Sequence, residues 1–430
     1  MVLRDGNVVH RSAHGVTCIQ PQDASSAVRL ETRFDVASLT KVMATTAVAM
    51  ALHGQRCLDL DSQVAKFLGD IDPHGGFGLE GGGKTSGRVV KILDLLTHRS
   101  GLPACRPYWE VVANDSLASS LFTRLEERPK GIRRIEAFRR ARHLMKNLVA
   151  SQKPEAVPGA RAVYSDPGFI ILGMALEKAG GATLDALFNR LIAEPLRLSE
   201  TFFIDETGSS PRRPTVCAAT RQAASRGGDV LLGEVDDDNA FAMGGVAGHA
   251  GLFSTVDDVA RFGEAIRRIH AGERIGSIRP CTVRTFLTRD AETVGSTRAL
   301  GFDTPSPGGA SAAGTLMDRR RTFGHLGFTG CSLWLDLSRS LTVALLTNRI
   351  HGDYEHDDKL LGISERPTAK REDRECGTPG GHLDSTCQLP INGEDAALLD
   401  QRLIQSTGRS TGIKALRAEL HDLAVSTTGG

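Results

Sequence analysis

The chain has 430 residues, which at roughly 150 per domain suits two or three domains or one large two-lobed body. Its 52 basic and 51 acidic side chains leave a formal charge of +1, so there is neither a basic field to attract nucleic acid nor the acidic excess of a solvating chain. Hydrophobic residues at 40%, charged ones at 24% and 47 glycines exclude collagen-like, coiled-coil and membrane classes.

In chain order, residues 1–20 read as a hairpin: Val2-Leu3 and Val8-Val9 flank Arg4-Asp5-Gly6-Asn7. The N-terminus shows no basic n-region and no apolar h-region, so a cytoplasmic protein is expected. Residues 38–53 form a helix whose Leu39, Val42, Met43, Ala47, Val48 and Met50 leave little polar face, so it is expected to be buried nearly all round, with Gly54 ending it. Threaded with Ser38, Thr40, Thr45 and Thr46, this stretch falls short of the roughly 20 apolar residues of a membrane span. A Gly-rich loop (75–87) precedes a short helix over 89–99, closed by Gly101 and Pro103. From 105 to 240 the pattern is mainly helical, with helices near 133–146, 167–179 and 183–192. Strand-like runs at 322–329, 332–337 and 341–348 suit an antiparallel meander.

Strands at both chain ends around a helical middle predict an α/β fold, an antiparallel sheet flanked by helices with an inserted all-helical lobe. The α/β lobe takes 1–104 and 241–351, and the helical lobe takes 105–240. Residues 352–411 are a polar insertion expected to lack a packed core, and 412–425 a final helix. No internal repeat is evident. The eight cysteines, at 18, 57, 105, 217, 281, 331, 376 and 387, lack C-x-x-C spacing and suit reduced thiols better than disulfides or zinc.

Ser38-Leu39-Thr40-Lys41 is S-x-x-K, which on a helix puts a hydroxyl and an amine on one face. Lys41 is the only formal charge between Val36 and Gln55, and burial disfavours an ammonium, leaving an amine able to accept a proton. The spacing is common by chance, and a snorkelling lysine is its ordinary explanation. Further along stand Leu95-Leu96-Thr97-His98-Arg99-Ser100-Gly101-Leu102-Pro103, Tyr164-Ser165-Asp166, residues 244–254 (GGVAGHAGLFS) and His325-Leu326-Gly327. In this order, over roughly residues 1 to 350, the set resembles the serine β-lactamase and penicillin-binding-protein superfamily (the β-lactamase/transpeptidase-like fold), particularly its class C-like esterases and D,D-peptidases.

The resemblance implies Ser38 as nucleophile, Lys41 as its proton partner and Tyr164 as general base or shuttle. It also implies an oxyanion hole from the backbone N–H groups of Ser38 and Phe328, and substrate contacts from Asp166, His325, Leu326 and Gly327. Two positions depart from the family pattern. Asp166 stands where an asparagine is usual, and with Pro167 it also reads as an N-cap and first-turn pair, so it either caps alone or caps and also contacts the site. His325 replaces the lysine of K-T-G, which removes a permanent charge and lowers the expectation of efficient antibiotic hydrolysis. His98 and His249 read as structural or supporting, and Tyr108 and Trp109 as groove or core.

Gly78 to Thr85 spells G-x-x-x-x-G-K-[ST] but lacks the flanking strand and helix of a phosphate loop. His351, His356, Asp357 and Asp358 read as solvated charge rather than a metal cluster. The expectation is a serine hydrolase that forms an acyl-enzyme on Ser38 and cleaves an ester or amide, with no metal and no cofactor. It would act on a small-molecule ester, β-lactam or muropeptide, without nucleic-acid or membrane partners. The alternative is a non-catalytic penicillin-binding sensor or pseudoenzyme on the same fold.

Overall fold

The computed structural model describes residues 1–69, 89–293, 296–306, 311–315, 317–352, 421–422 and 424–426. The Gly78–Thr85 match, residues His356 to Asp358, and all but the first residue of the expected 352–411 insertion lie outside these. Within them the strands are β1 (Val2–Arg4), β2 (Asn7–His10), β3 (Phe34–Asp35), β4 (Phe202–Phe203), β5 (Gln222–Ala223), β6 (Asp229–Val230), β7 (Leu252–Ser254), β8 (Thr322–Leu326), β9 (Ser332–Asp336) and β10 (Leu341–Leu345).

The main sheet is antiparallel with the order β2-β1-β10-β9-β8. β1 and β2 form the expected hairpin, turned at Asp5 and Gly6, both at positive φ (51° and 81°), which matches the twist of the flanking strands. The meander is also present, in shorter strands. β8 stops at Leu326 because Gly327 N–H donates to the Cys331 carbonyl (2.7 Å) and Gly330 N–H to that of Gly327 (3.0 Å), turning the chain into β9. β1 then pairs with β10, Val2 opposite Val343, so strands from distant parts of the sequence share one sheet.

Both faces of this sheet are covered. On one, the helix Val256–Ala271 lays down Val259, Phe262, Ile266 and Ile269, capped by Thr255 at its start and Gly272 at its end. Gly263 lets it approach closely: a Cβ there would stand 2.8 Å from Leu335 Cδ2 and 2.9 Å from Leu333 Cδ1. On the other, Trp334, Val2, Leu341 and Val343 pack with Ala313, Met317 and Ala424. A smaller sheet, β3-β7-β4, carries the chain towards its first long helix.

That helix is π-turned over Lys41–Thr46 and α-helical over Ala47–Gly54. Burial nearly all round holds: every residue is buried except His53. It packs on the helix Asp166–Gly180, itself flanked by Gly131–Ala150 and Leu184–Phe188. The mainly helical expectation for 105–240 is corrected over 197–237, where β4 to β6 and turns occur instead. Gly208, Pro211 and Pro214, with Gly227, Gly228 and Gly233 at positive φ, break any helical run there.

Candidate active site

Ser38 follows β3 on a turn too sharp for ordinary backbone. Ala37 has φ 46°, a left-handed value unfavourable for a residue with a Cβ, and its N–H is held by Asp35 Oδ1 at 2.8 Å. The N–H groups of Leu39, Thr40 and Lys41 then bond back to the carbonyls of Val36, Ala37 and Ser38, winding the strand directly into the π-turned segment.

Lys41 is fully buried, and its ammonium meets three oxygens: Asp166 Oδ1 at 2.7 Å, Ser38 Oγ at 2.9 Å and the His249 carbonyl at 3.0 Å. Burial works to lower its pKa, but the charges of Asp166 and Tyr164 and hydrogen bonds to both outweigh it, so the pKa is raised above the usual lysine value. The amine expected from burial alone is therefore an ammonium at rest. Tyr164 donates its hydroxyl to Ser38 Oγ at 2.8 Å, and burial holds its phenol above the usual range despite the neighbouring Lys41.

Asp166 is not the N-cap. That position belongs to Ser165, whose Oγ accepts from Gly168 N at 3.1 Å and donates to the Pro103 carbonyl at 2.7 Å. Asp166 and Pro167 form the first turn, which leaves the carboxylate free of capping and in contact with Lys41. Of the two alternatives, capping alone and capping with a site contact, the cap is corrected in both and the contact is present, as an ion pair with Lys41.

Of the H-x-G residues, His325 is buried with its ring centroid 5.9 Å from that of Tyr164. Gly327 packs so closely on the strand before Ser38 that a Cβ would stand 2.5 Å from the Val36 carbonyl oxygen. Thr329 Oγ1 bonds the Asp35 carbonyl at 2.8 Å, and Phe328 between them is 42% exposed. Leu326 is not brought to the site. Strand alternation turns its side chain to the opposite face, against the Trp334 cluster.

His98 and His249 both do supporting work. His98 Nδ1 accepts from Ser165 N at 3.0 Å, and its ring stacks between Tyr164 (4.7 Å) and Phe169 (4.9 Å), burial holding it well below the usual histidine pKa. His249 bonds Asp237 Oδ1 through Nε2 at 2.9 Å while its carbonyl holds Lys41. Sequence reasoning missed Asp35, Ala37, Asp237 and Arg298, the last of which pairs with Asp303 and stands 5.4 Å from the Tyr164 ring centroid. Only Asp35, two residues before Ala37, carried a local signal, the Asx turn. Tyr108 and Trp109 belong to the core, Tyr108 bonded to Gln152 at 3.0 Å and Trp109 stacked on Phe122. His351 spends both ring nitrogens on the backbone of Ile19 and Thr220. No cluster of three metal-ligating side chains, and no helix long and apolar enough to cross a membrane, occurs among the described residues.

The geometry can move a proton off a hydroxyl beside a carbonyl, and the comparisons agree with that chemistry. The family model described as Beta-lactamase matches residues 1–364. An N-acetylmuramyl-L-alanine amidase of Bacillus subtilis (strain 168) is 28% identical over 388 residues, covering 86% of this chain and 81% of the relative. A protein of Escherichia coli (strain K12) named "Putative D-alanyl-D-alanine carboxypeptidase" is 28% identical over 385 residues, covering 85% and 81%. Among solved structures, EstCE1, a hydrolase with promiscuous acyltransferase activity, superposes with a TM-score of 0.55 at 23% identity, covering 81% of this chain and 87% of its own.

Proposed function

We infer the reaction from the premise that this chain belongs to the beta-lactamase family, as a hydrolase of ester or amide bonds. Ser38 attacks the substrate carbonyl and water later releases the acyl group. The observation that carries this reading is the convergence of Lys41 Nζ (2.9 Å) and Tyr164 Oη (2.8 Å) on one serine oxygen.

In this reading the resting ion pair supplies the base. Lys41 passes a proton to Asp166 Oδ1, 2.7 Å away, and the amine so formed takes the proton of Ser38 as Oγ bonds to the carbonyl carbon. The oxyanion rests on the N–H groups of Ser38 and Phe328, a role supported by the packing of Gly327 and Thr329 on residues 35 and 36. Tyr164 protonates the leaving group as the intermediate collapses, and the proton on Asp166 returns through Lys41 to the phenolate. Acylation thus ends with Lys41, Asp166 and Tyr164 in their resting charge states.

We rank cell-wall-derived amides first among substrates, a choice supported by the names of the amidase and carboxypeptidase relatives, with carboxylic esters second. β-Lactams come third, because His325 stands where a lysine would fix their carboxylate. The proposal includes a cytoplasmic site of action, tested by fractionation of cells treated with a serine-directed probe.

Nitrophenyl esters, nitrocefin and muropeptides assayed side by side, with peptide mapping of a fluorophosphonate adduct, test the reading. The adduct is expected on Ser38. Ser38→Ala should lose turnover, and Lys41→Ala and Tyr164→Phe should each lose a large factor without additivity, since the three act as one unit. An adduct elsewhere, or near-normal turnover in Lys41→Ala, overturns the mechanism. Stoichiometric acylation without turnover would instead make the protein a sensor.

A further inference from the structure

We propose that Asp35 is a positioning residue: its carboxylate holds the left-handed turn that presents Ser38 and ties that turn to the segment carrying Asp237 and His249. This rests on the reading of Ser38 as nucleophile.

Asp35 is 2% exposed at the end of β3. Its Oδ1 accepts from Ala37 N at 2.8 Å and its Oδ2 from Asp236 N at 2.8 Å. Its carbonyl accepts from Thr329 Oγ1 at 2.8 Å, in the turn that carries Phe328. The nucleophile turn, the β8–β9 turn and the chain leading to the Asp237–His249 pair are therefore all anchored on residue 35. His249 in turn offers its carbonyl to Lys41.

Ala37 makes the anchor necessary. An alanine at φ 46° sits in a region that costs an L-residue roughly 1–2 kcal/mol, so the conformation persists only where neighbours impose it. The Asp35–Ala37 bond imposes it one residue before Ser38. If that bond is lost, Ala37 relaxes towards negative φ and Ser38 Oγ swings away from Lys41 and Tyr164.

An ionised carboxyl can accept both N–H groups at once. A protonated one carries a hydrogen on one oxygen, and the N–H facing that oxygen is left with a weaker acceptor. The groups facing Asp35 are Asp236 and Asp237 from the chain before helix Asp238–Ala242, Cys217 from the segment bridged to Arg33, and Cys331 from the β8–β9 turn. Burial, then the charge of Asp236, push the Asp35 carboxyl up to about 7, against the two N–H bonds that lower it. The grip on Ser38 is therefore full above neutral pH and slackens below it.

Stability runs the other way. A carboxyl raised from 3.8 to about 7 on folding favours the folded state most below its unfolded value, and that contribution is lost as pH rises through the window up to about 7. Holding the turn with an ionised group costs stability over the same pH range in which it gains reactivity.

The test is the rate at which a fluorophosphonate labels Ser38 in the full chain between pH 5 and 9. Wild type should show an acid limb near pH 7. Asp35→Asn keeps the shape but cannot accept both N–H groups, and should label about 10–100-fold more slowly at pH 8, without that limb and with KM for an ester changed less than about threefold. Glycine adopts positive φ without strain, so Ala37→Gly should shrink the acid limb alone and recover at least about tenfold of the rate in the Asp35→Asn background.

Wild-type labelling by Asp35→Asn, or a double variant as slow as the single, overturns the proposal. Should Asp35→Asn fail to fold, an acid limb unchanged in Ala37→Gly overturns it equally. Wild type that takes no label at Ser38 refutes the nucleophile reading instead, and this inference falls with it.

Discussion

Lys41 and Asp166 face each other across 2.7 Å with the lysine wholly enclosed, so each side chain depends on the other's charge. Because its pKa is raised, the Lys41 ammonium stabilises the fold below its unfolded value of 10.5, and that contribution is lost as pH rises through the folded value. Asp166→Asn leaves burial to dominate and the lysine pKa falls. Melting temperatures should therefore show a gap between wild type and this variant that is full at pH 7–9 and narrows above about 10.5, and turnover at neutral pH should drop with the proton acceptor gone. Ser165→Ala separates capping from charge: it should cost about 0.5–2 kcal/mol in denaturant titration while leaving the Lys41–Asp166 pair in place. The sequence made the meeting of Ser38, Lys41 and Tyr164 legible, since it is made by side chains and the S-x-x-K spacing marks its first two members. Asp166 was legible as a site residue but not as an ion pair alone, because Ser165 and Asp166 are both good caps and only geometry decides. Ala37 acts through its backbone and Asp35 through a carboxylate spent on backbone N–H groups, while the contact of His249 with Lys41 is made by its carbonyl, and a carbonyl aimed at an ammonium leaves no mark in the residue type.

Helices were found where periodicity pointed, with ends displaced by up to four residues, 89–99 contracting to Ile92–Leu96 and 133–146 extending to Gly131–Ala150, because caps rather than apolar spacing fix the boundaries. The strand lengths erred more. β8 and β10 are both followed by β-prone residues, yet the Gly327–Cys331 turn ends the one, and the other stops at Leu345, opposite Ser332 where β9 begins. Close crossings between elements were not legible, although two of them hold the site. Gly248 lies against the helix Asp166–Gly180 so tightly that a Cβ would stand 2.0 Å from the Phe169 carbonyl oxygen, and a Cβ on Gly173 would stand 3.1 Å from the Gly248 Cα. Gly248→Ala must push the segment bearing His249 off that helix, so both melting temperature and Ser38 labelling should fall. Gly263→Ala, set among Leu333, Leu335 and Thr342 on the sheet, should lower stability by about 1–3 kcal/mol while labelling of the folded fraction stays at the wild-type rate. Equal losses of labelling in the two variants would deny Gly248 any particular link to the site.

At the scale of the molecule, the α/β class and the meander were legible from strand runs gathered near the chain ends, whereas the interruption of helix over 197–237 was not, because its glycines and prolines read as loops without showing that β4 pairs with β7. β1 sits between β2 and β10, so deleting residues 1–10 bares the backbone edge of β10, and a lower melting temperature with a rise in light scattering should follow. The pairing of Val2 with Val343 has a further consequence, for synthesis. A ribosome adding about 5–20 residues each second exposes Ser38 roughly 15–60 s before His325 emerges. Through that interval the first hairpin has no partner strand, and the buried helix behind Ser38 has no sheet to complete its surroundings. Such high contact order makes folding slow and largely post-translational, with the nascent apolar segments open to chaperones. A message ending anywhere before the meander would yield a chain that holds serine, lysine and tyrosine yet never gathers them, an unfolded polypeptide rather than a weakened hydrolase.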